Sequence, residues 1–352
     1  MPMSMALAAA PVLPSSLTLP RVITVRERFD VAVPVPPLVV RHTAGVKQKA
    51  VVVMGATGTG KSRLAVDLAL RFGGEVINSD KMQVYAGLDV VTNKVTDDEC
   101  AGVPHHLIGV AHPDDEFTAA DFRREAARAA AGAAERGQVP IIAGGSNSYV
   151  EELVDGDRSA FSERYECCFL WVDVQLPVLH SFVARRVDQM CRRGLVEEVA
   201  AAFDPRRTDY SRGIWRAIGV PELDAYLRSR GADDDDELAR MLAAAVGEIK
   251  SNTFRLACRQ RGKIQRLARM WRVRRVDATE VFQKRGHAAD EAWQRLVAAP
   301  CIDAVRSFLY EDQECSSIAA GKAPLFASGN ATSGNISVFA STAGTAVAAA
   351  AV

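Results

Sequence analysis

Apolar positions come in short unbroken runs separated by longer stretches in which they recur every three or four residues. Ala50 to Met54 predicts a buried strand, Lys61 to Phe72 a helix carrying Leu64, Val66, Leu68 and Leu70, and Glu75 to Asn78 a second strand. Thr118 is placed to cap a helix running through Asp121, Phe122 and Glu125 to Ala134. Pro140 to Ala143 predicts a strand running into Gly144 and Gly145, and Cys168 to Val174 another. Strands alternating with helices imply an α/β fold, a parallel sheet flanked by helices in which ligands sit beyond the carboxyl ends of the strands. From about Cys191 to Gly247 the strand-like runs stop and the pattern is helical and charged, with an acidic run from Asp233 to Glu237 that reads as a solvated turn and helix start. A long basic helix follows, and Arg272 to Val276 predicts a last strand.

These boundaries divide the chain into a leader (1–45), an α/β core (46–190), a helical insertion (191–248), a basic helix returning to the core (249–314) and a low-complexity tail (315–352). The leader has Arg21 and Arg26, scattered Ser and Thr, and no acid before Glu27, the pattern of an organelle transit peptide or a disordered extension. The tail is mostly Ala, Ser, Gly and Thr, too poor in large apolar side chains to build a core.

Composition narrows the class. With 352 residues, 48% hydrophobic and 24% charged, the chain can bury a full core, and no run approaches the length that spans a bilayer. Lys plus Arg and Asp plus Glu number 43 each, without the basic excess of a nucleic-acid binder. The seven cysteines form no C-x-x-C pair and have no histidines at metal spacing, so reduced, mostly buried thiols are expected rather than a zinc site. Adjacent His105 and His106 would point apart on a strand, so they read as a packed loop and not a metal pair.

The stretch Gly55-Ala56-Thr57-Gly58-Thr59-Gly60-Lys61-Ser62 fits G-x-x-x-x-G-K-[ST] between a strand and a helix. Its glycines let backbone N–H groups point at a phosphate, the helix N-terminus adds partial positive charge, Lys61 supplies a cation, and Ser62 can ligate Mg²⁺. The fold class is therefore a P-loop NTPase-like parallel sheet with a helical insertion. The loop leaves the fate of the phosphate open. A GTPase is disfavoured because Asn93-Lys94-Val95-Thr96 lacks the acid of a base-reading motif, whereas a small-molecule kinase remains, with Asp173 as its metal-holding acid. Asp80 ends the second strand, where spacing allows a general base, a support for Mg²⁺ or a turn cap.

The ordered set GATGTGKS, NSDKMQVYAGLDVVTNKVT, GVPHHLIG, FTAADFRREA, PIIAGGSNSYVEELV, FLWVDVQLPVLHSFVARRVDQM, RAIGVPEL and IKSNTFRLACRQRGKIQRL resembles the plant adenylate isopentenyltransferases over about Val46 to Asp312. Those enzymes begin cytokinin synthesis, and their relatives, the tRNA dimethylallyltransferases, share loop, acid and fold. The resemblance implies that dimethylallyl diphosphate lies in the Gly55–Ser62 loop with Mg²⁺, that the exocyclic amine of an adenine nucleotide attacks the allylic carbon, and that Asp80 is the base. Lys61, and Arg186 in RRVDQM, would stabilise the departing diphosphate.

Further substrate contacts are expected from Lys94, which is otherwise an exposed lysine, and from Ser146, Asn147 and Tyr149, which otherwise form a plain loop. Gln260 and Lys263 are candidate acceptor contacts. From Lys250 to Arg275 there are ten cations and no acid, which suits either the phosphates of AMP, ADP or ATP or an RNA backbone. After Ala278 only Cys301, Cys315 and His287 remain, too few for the zinc finger of eukaryotic tRNA-modifying relatives, and Thr92-Asn93-Lys94-Val95 departs from their T-A-K-P. A free nucleotide is thus the expected acceptor, with no nucleic-acid partner and no membrane. A plastid location follows if the leader is a transit peptide, a cytoplasmic one otherwise. Trp215 stands where a basic residue is expected, and Arg261-Gly262 is expected to interrupt the helix.

Overall fold

The computed structural model describes residues 47–156, 160–231 and 234–319, with side chains as far as residue 310. The elements follow one another as β1 (Gln48–Gly55), α1 (Lys61–Phe72), β2 (Gly74–Asn78), β3 (His105–His106), α2 (Ala119–Glu135), β4 (Val139–Ala143), α3 (Asn147–Asp155), β5 (Tyr165–Asp173), α4 (Leu176–Arg192), α5 (Leu195–Ala201), α6 (Val220–Arg228), α7 (Asp235–Leu267), β6 (Val273–Asp277), α8 (His287–Trp293) and α9 (Ala299–Ala319), with shorter helical turns between them. All strands pair in parallel, in the order β3-β2-β4-β1-β5-β6.

That order contains a switch point. From β1 the chain crosses to β2 on one side of β4, and from β4 it returns past β1 to β5 on the other. The crevice between the carboxyl ends of β1 and β4 is where such sheets bind ligands. β1 lies between β4 and β5, and its consecutive side chains Ala50 to Met54 are all fully buried, so the strand is covered on both faces and reads as an unbroken apolar run.

One core lies between the sheet and α2 and α3, built on Phe122, Ala126, Ala130, Tyr149 and Leu153. The four-residue spacing of Phe122, Ala126 and Ala130 puts them in one stripe of α2, whose start is closed by a reciprocal Thr118–Asp121 capping box. A second core, with Tyr85, Leu88, Val187, Leu195, Ile214, Leu223, Ala245 and Ile249, belongs to the helical insertion and the loop after β2.

Three expectations are revised. His105 and His106 form a short edge strand, not a loop: His106 Nε2 and the Arg136 guanidinium both bond the buried Glu75 carboxylate. The basic stretch is not a separate helix after residue 248, because it is the second half of the continuous α7, and Arg261-Gly262 passes through it unbroken. Gly262 is exposed and costs only propensity, while Arg261 is held by a salt bridge to Asp173 at 2.9 Å. The leader and the part of the tail beyond Ala319 lie outside the described residues, and α9 extends into the segment expected to begin that tail.

Candidate active site

The phosphate loop joins β1 to α1, with Gly58 at φ 83° and Gly60 at φ 90°, left-handed conformations that favour glycine. Gly60 has a second reason to lack a side chain, since a Cβ there would stand 2.7 Å from the ring of Trp293. That indole, from the far end of the chain, donates to buried Asp67 of α1 at 2.8 Å and carries the Arg63 guanidinium on its ring. No side chain caps the start of α1, in contrast to α2, so its first-turn N–H groups are available to an anion.

Two cations converge on this loop. Lys61 is 9% exposed and donates to Ala56 O at 2.8 Å. Burial lowers its pKa to about 8, with Asp80 opposing the shift and Arg186 adding to it. Arg186 reaches from α4, donating to Thr57 Oγ1 at 3.2 Å and to Asn93 Oδ1 at 3.3 Å. Burial also depresses the Arg186 pKa, against the pull of Asp80 and Glu99. Lys61 carries its charge below about pH 8, and a diphosphate binds that charged form more tightly. Affinity for inorganic diphosphate is therefore expected to fall as pH rises through about 8 in the wild type. The Lys61→Met variant, titrated calorimetrically in parallel, should lack that step; an identical pH profile would remove Lys61 from the phosphate site.

Asp80 stands at the end of β2, half-buried, with Oδ1 accepting from Met82 N at 3.0 Å. Its Oδ2 lies over Gly145, where a Cβ would be 3.4 Å away. At Gly144 a Cβ would strike the Ser79 backbone, so the paired glycines after β4 let the two strand ends approach. Asp80 thus faces the crevice shared with Lys61 and Arg186, and its turn contact leaves Oδ2 for other work.

The remaining candidates divide. Gln260 on α7 accepts from Thr57 N at 2.7 Å through its side-chain oxygen. Asn147 donates to Gly145 O and Gln260 O, while its Oδ1 and the nearby Ser79 Oγ are buried without a partner. Ser146 Oγ accepts from Lys81 N at 2.8 Å, joining the loops after β2 and β4. Lys263 is half-buried and paired with Glu151 at 2.9 Å.

One candidate is corrected, and the surroundings of a second are revised. The Tyr149 hydroxyl does not line the crevice: the side chain is 0% exposed, stacks on Phe122, and donates to Phe117 O at 2.8 Å. Lys94 is not an exposed lysine: its ammonium is buried and tied to Asp89 at 2.6 Å and to Gly87 O within its own loop. Asn93 beside it, at φ 48°, is the residue of that tripeptide that touches Arg186.

Sequence reasoning passed over Lys81 and Arg216. The Lys81 ammonium lies 5.5 Å over the Tyr149 ring, and its pKa is depressed by burial and then by Arg216, with Glu116 opposing and Lys263 adding. Arg216 donates to Tyr85 Oη at 3.2 Å. Lys81 and Arg216 therefore bring positive charge to the loop that carries Asp80, whereas Lys263 is paired with Glu151. Four of the six cations in the basic half of α7 are paired with acids on other elements: Lys250 with Asp188, Arg261 with Asp173, and Lys263 and Arg266 with Glu151. Trp215 donates to Asp114 at 2.6 Å and carries Arg207 on its ring.

Asp173, the acid a kinase would use, is 2% exposed and held by both Arg261 and Arg275. That pairing makes it a strut between β5, β6 and α7. Asp173→Asn is expected to cost about 2 kcal/mol, less than a fully buried pair because Arg275 is half in water, with turnover per folded molecule retained. Thermal melts with active-site-normalised rates check this, and abolished turnover in a folded variant would revive the kinase reading.

A bound Mg²⁺ fits the donor set. Among the described residues no cluster of three or more His, Cys, Asp or Glu is poised for a metal, but exposed Ser62 opens α1 beside the loop. Mg²⁺ is commonly held by one or two protein groups together with substrate phosphates and water.

Comparison with known proteins gives the lineage. A family model described as IPP transferase matches residues 83–164 and 156–267. Adenylate isopentenyltransferase 5, chloroplastic, of Arabidopsis thaliana is 60% identical over 76% of this chain and 82% of its own. The chain belongs to the IPP transferase family. Adenylate isopentenyltransferases 3, chloroplastic, and 7, mitochondrial, from the same plant are 53% and 54% identical over 78% and 74% of this chain, covering 83% and 80% of their own lengths. Among solved structures, a tRNA isopentenylpyrophosphate transferase from Bacillus halodurans superposes with a TM-score of 0.60 at 25% identity, over 77% of this chain and 99% of that one. A eukaryotic dimethylallyltransferase acting on tRNA gives 0.63 at 23%, over 75% and 80%, a likeness of fold.

Proposed function

We propose that this chain transfers the dimethylallyl group of dimethylallyl diphosphate to the exocyclic amine of AMP, ADP or ATP, releasing diphosphate. The observation that carries the reading is the placement of the Asp80 carboxylate in one crevice with the phosphate loop, Lys61 and Arg186. A base facing a phosphate cradle suits displacement of diphosphate by a nucleophile that must lose a proton.

In this reading the amine nitrogen bonds to the allylic carbon, the carbon–oxygen bond to diphosphate breaks with its electron pair leaving on oxygen, and Asp80 takes the amine proton. The amine is a poor nucleophile because its lone pair is delocalised into the purine, so a positioned base matters. Loop N–H groups, Lys61 and Arg186 meet the charge that grows on the leaving group. Held by Ser62 and diphosphate oxygens, Mg²⁺ would add charge stabilisation at the same place. The positive charge of Lys81 and Arg216 suits the acceptor's phosphates.

Purified protein given dimethylallyl diphosphate, Mg²⁺ and each nucleotide separately should yield a free nucleotide heavier by one dimethylallyl group. Phosphate transfer, or no prenyl product, would refute the reading.

Such a transfer opens cytokinin biosynthesis. Relatives named chloroplastic and mitochondrial support organelle targeting by the leader, and of the two compartments we infer the plastid. Residues 1–45 fused to a fluorescent protein are expected to direct it to plastids in leaf cells, and diffuse cytoplasmic fluorescence would contradict that.

A further inference from the structure

Gln260 is the side chain that touches both halves of the crevice. Its Oε1 accepts the Thr57 N–H of the phosphate loop at 2.7 Å, and its backbone oxygen accepts from Asn147 at 3.4 Å. Its Nε2 lies directly over Gly145, so close that a Cβ there would stand 2.5 Å away, with Asp80 Oδ2 3.4 Å from the same point. The residue is 9% exposed, on the rigid α7. A carboxamide carries a donor and an acceptor side by side, the pair that matches an adenine edge.

We propose that Gln260 is a positioning residue coupling donor to acceptor: a phosphate oxygen of the prenyl donor contends with Gln260 Oε1 for the Thr57 N–H, and donor binding frees the carboxamide to hold the acceptor purine against Asp80. The inference rests on the prenyl-transfer reading above. Its consequence is ordered binding, with the nucleotide site completed by diphosphate. By reciprocity the nucleotide strengthens diphosphate binding by the same factor.

Calorimetric titration of wild type with AMP, in the absence and presence of saturating inorganic diphosphate and Mg²⁺, is expected to show AMP binding tightened by about fivefold or more. In Gln260→Met, which keeps the length of the side chain without its polar atoms, diphosphate should bind at least as well as in wild type. AMP affinity should then be low and indifferent to diphosphate, and the KM for nucleotide should rise more than kcat falls. If that variant melts below the assay temperature, Gln260→Glu replaces it: it keeps the oxygen but adds a charge, and diphosphate binding should weaken about tenfold or more.

Coupling that survives undiminished in Gln260→Met, unchanged diphosphate binding in Gln260→Glu, or no coupling in wild type overturns the inference. If wild type makes prenylated nucleotide in any of those cases, only the coupling is wrong. If it makes none, the functional reading falls and the coupling with it.

Discussion

Replacing Asp80 by alanine should lower turnover by about two to four orders of magnitude, the scale of a lost general base, while leaving diphosphate binding nearly intact. The split follows from where the carboxylate stands. It is held at the end of β2 by the Met82 N–H, outside the loop whose N–H groups form the phosphate cradle. Removing it deprives the amine of its proton acceptor without dismantling the phosphate cradle. Asp80 also supports the charge on Lys61, so the loss of its negative charge beside the diphosphate and the lowered Lys61 pKa act in opposite directions on diphosphate binding in the variant. Single-turnover rates with calorimetry of diphosphate separate the two effects, and near-normal turnover would exclude Asp80 as the base.

Arg186→Ala is the second large effect, a loss of about 10²- to 10³-fold in turnover as for removal of one charge-stabilising donor. The guanidinium is aimed by two fixed acceptors, Thr57 Oγ1 on the phosphate loop and Asn93 Oδ1 on the loop after β2. Because one planar fork spans both, lysine should not restore the rate. Asn93→Ala should show a smaller loss of the same kind, since the arginine would keep its charge but lose its aim. Rates equal to wild type in Arg186→Lys would mean that charge alone suffices there.

What was legible in the chain was whatever is encoded locally. The loop from Gly55 to Ser62, its flanking strand and helix, and the acid closing β2 are contiguous, and strands β1, β2, β4 and β5 announced themselves as apolar runs, which the edge strand β3 did not. Tyr149 was misplaced although a signal existed: with Val150, Leu153 and Val154 it completes an inward stripe of α3, which predicts a core ring rather than a substrate contact. The charge of the basic helix was only partly legible for a different reason. Acids paired with it, Asp188, Asp173 and Glu151, lie on α4, β5 and α3, and no window along α7 contains them. Lys81 and Arg216 are far apart in sequence and meet only in the fold, as do Trp293 and the phosphate-loop glycine it backs. Long-range pairing of this sort leaves no periodicity to read.

The central claim is that the acceptor is a free adenine nucleotide. The most direct measurement offers the enzyme labelled dimethylallyl diphosphate, Mg²⁺, and equimolar AMP and unmodified tRNA in one vessel, and follows the label over the first turnovers. The account predicts label on the nucleotide, carried on its exocyclic nitrogen. Label accumulating on the tRNA instead would contradict it.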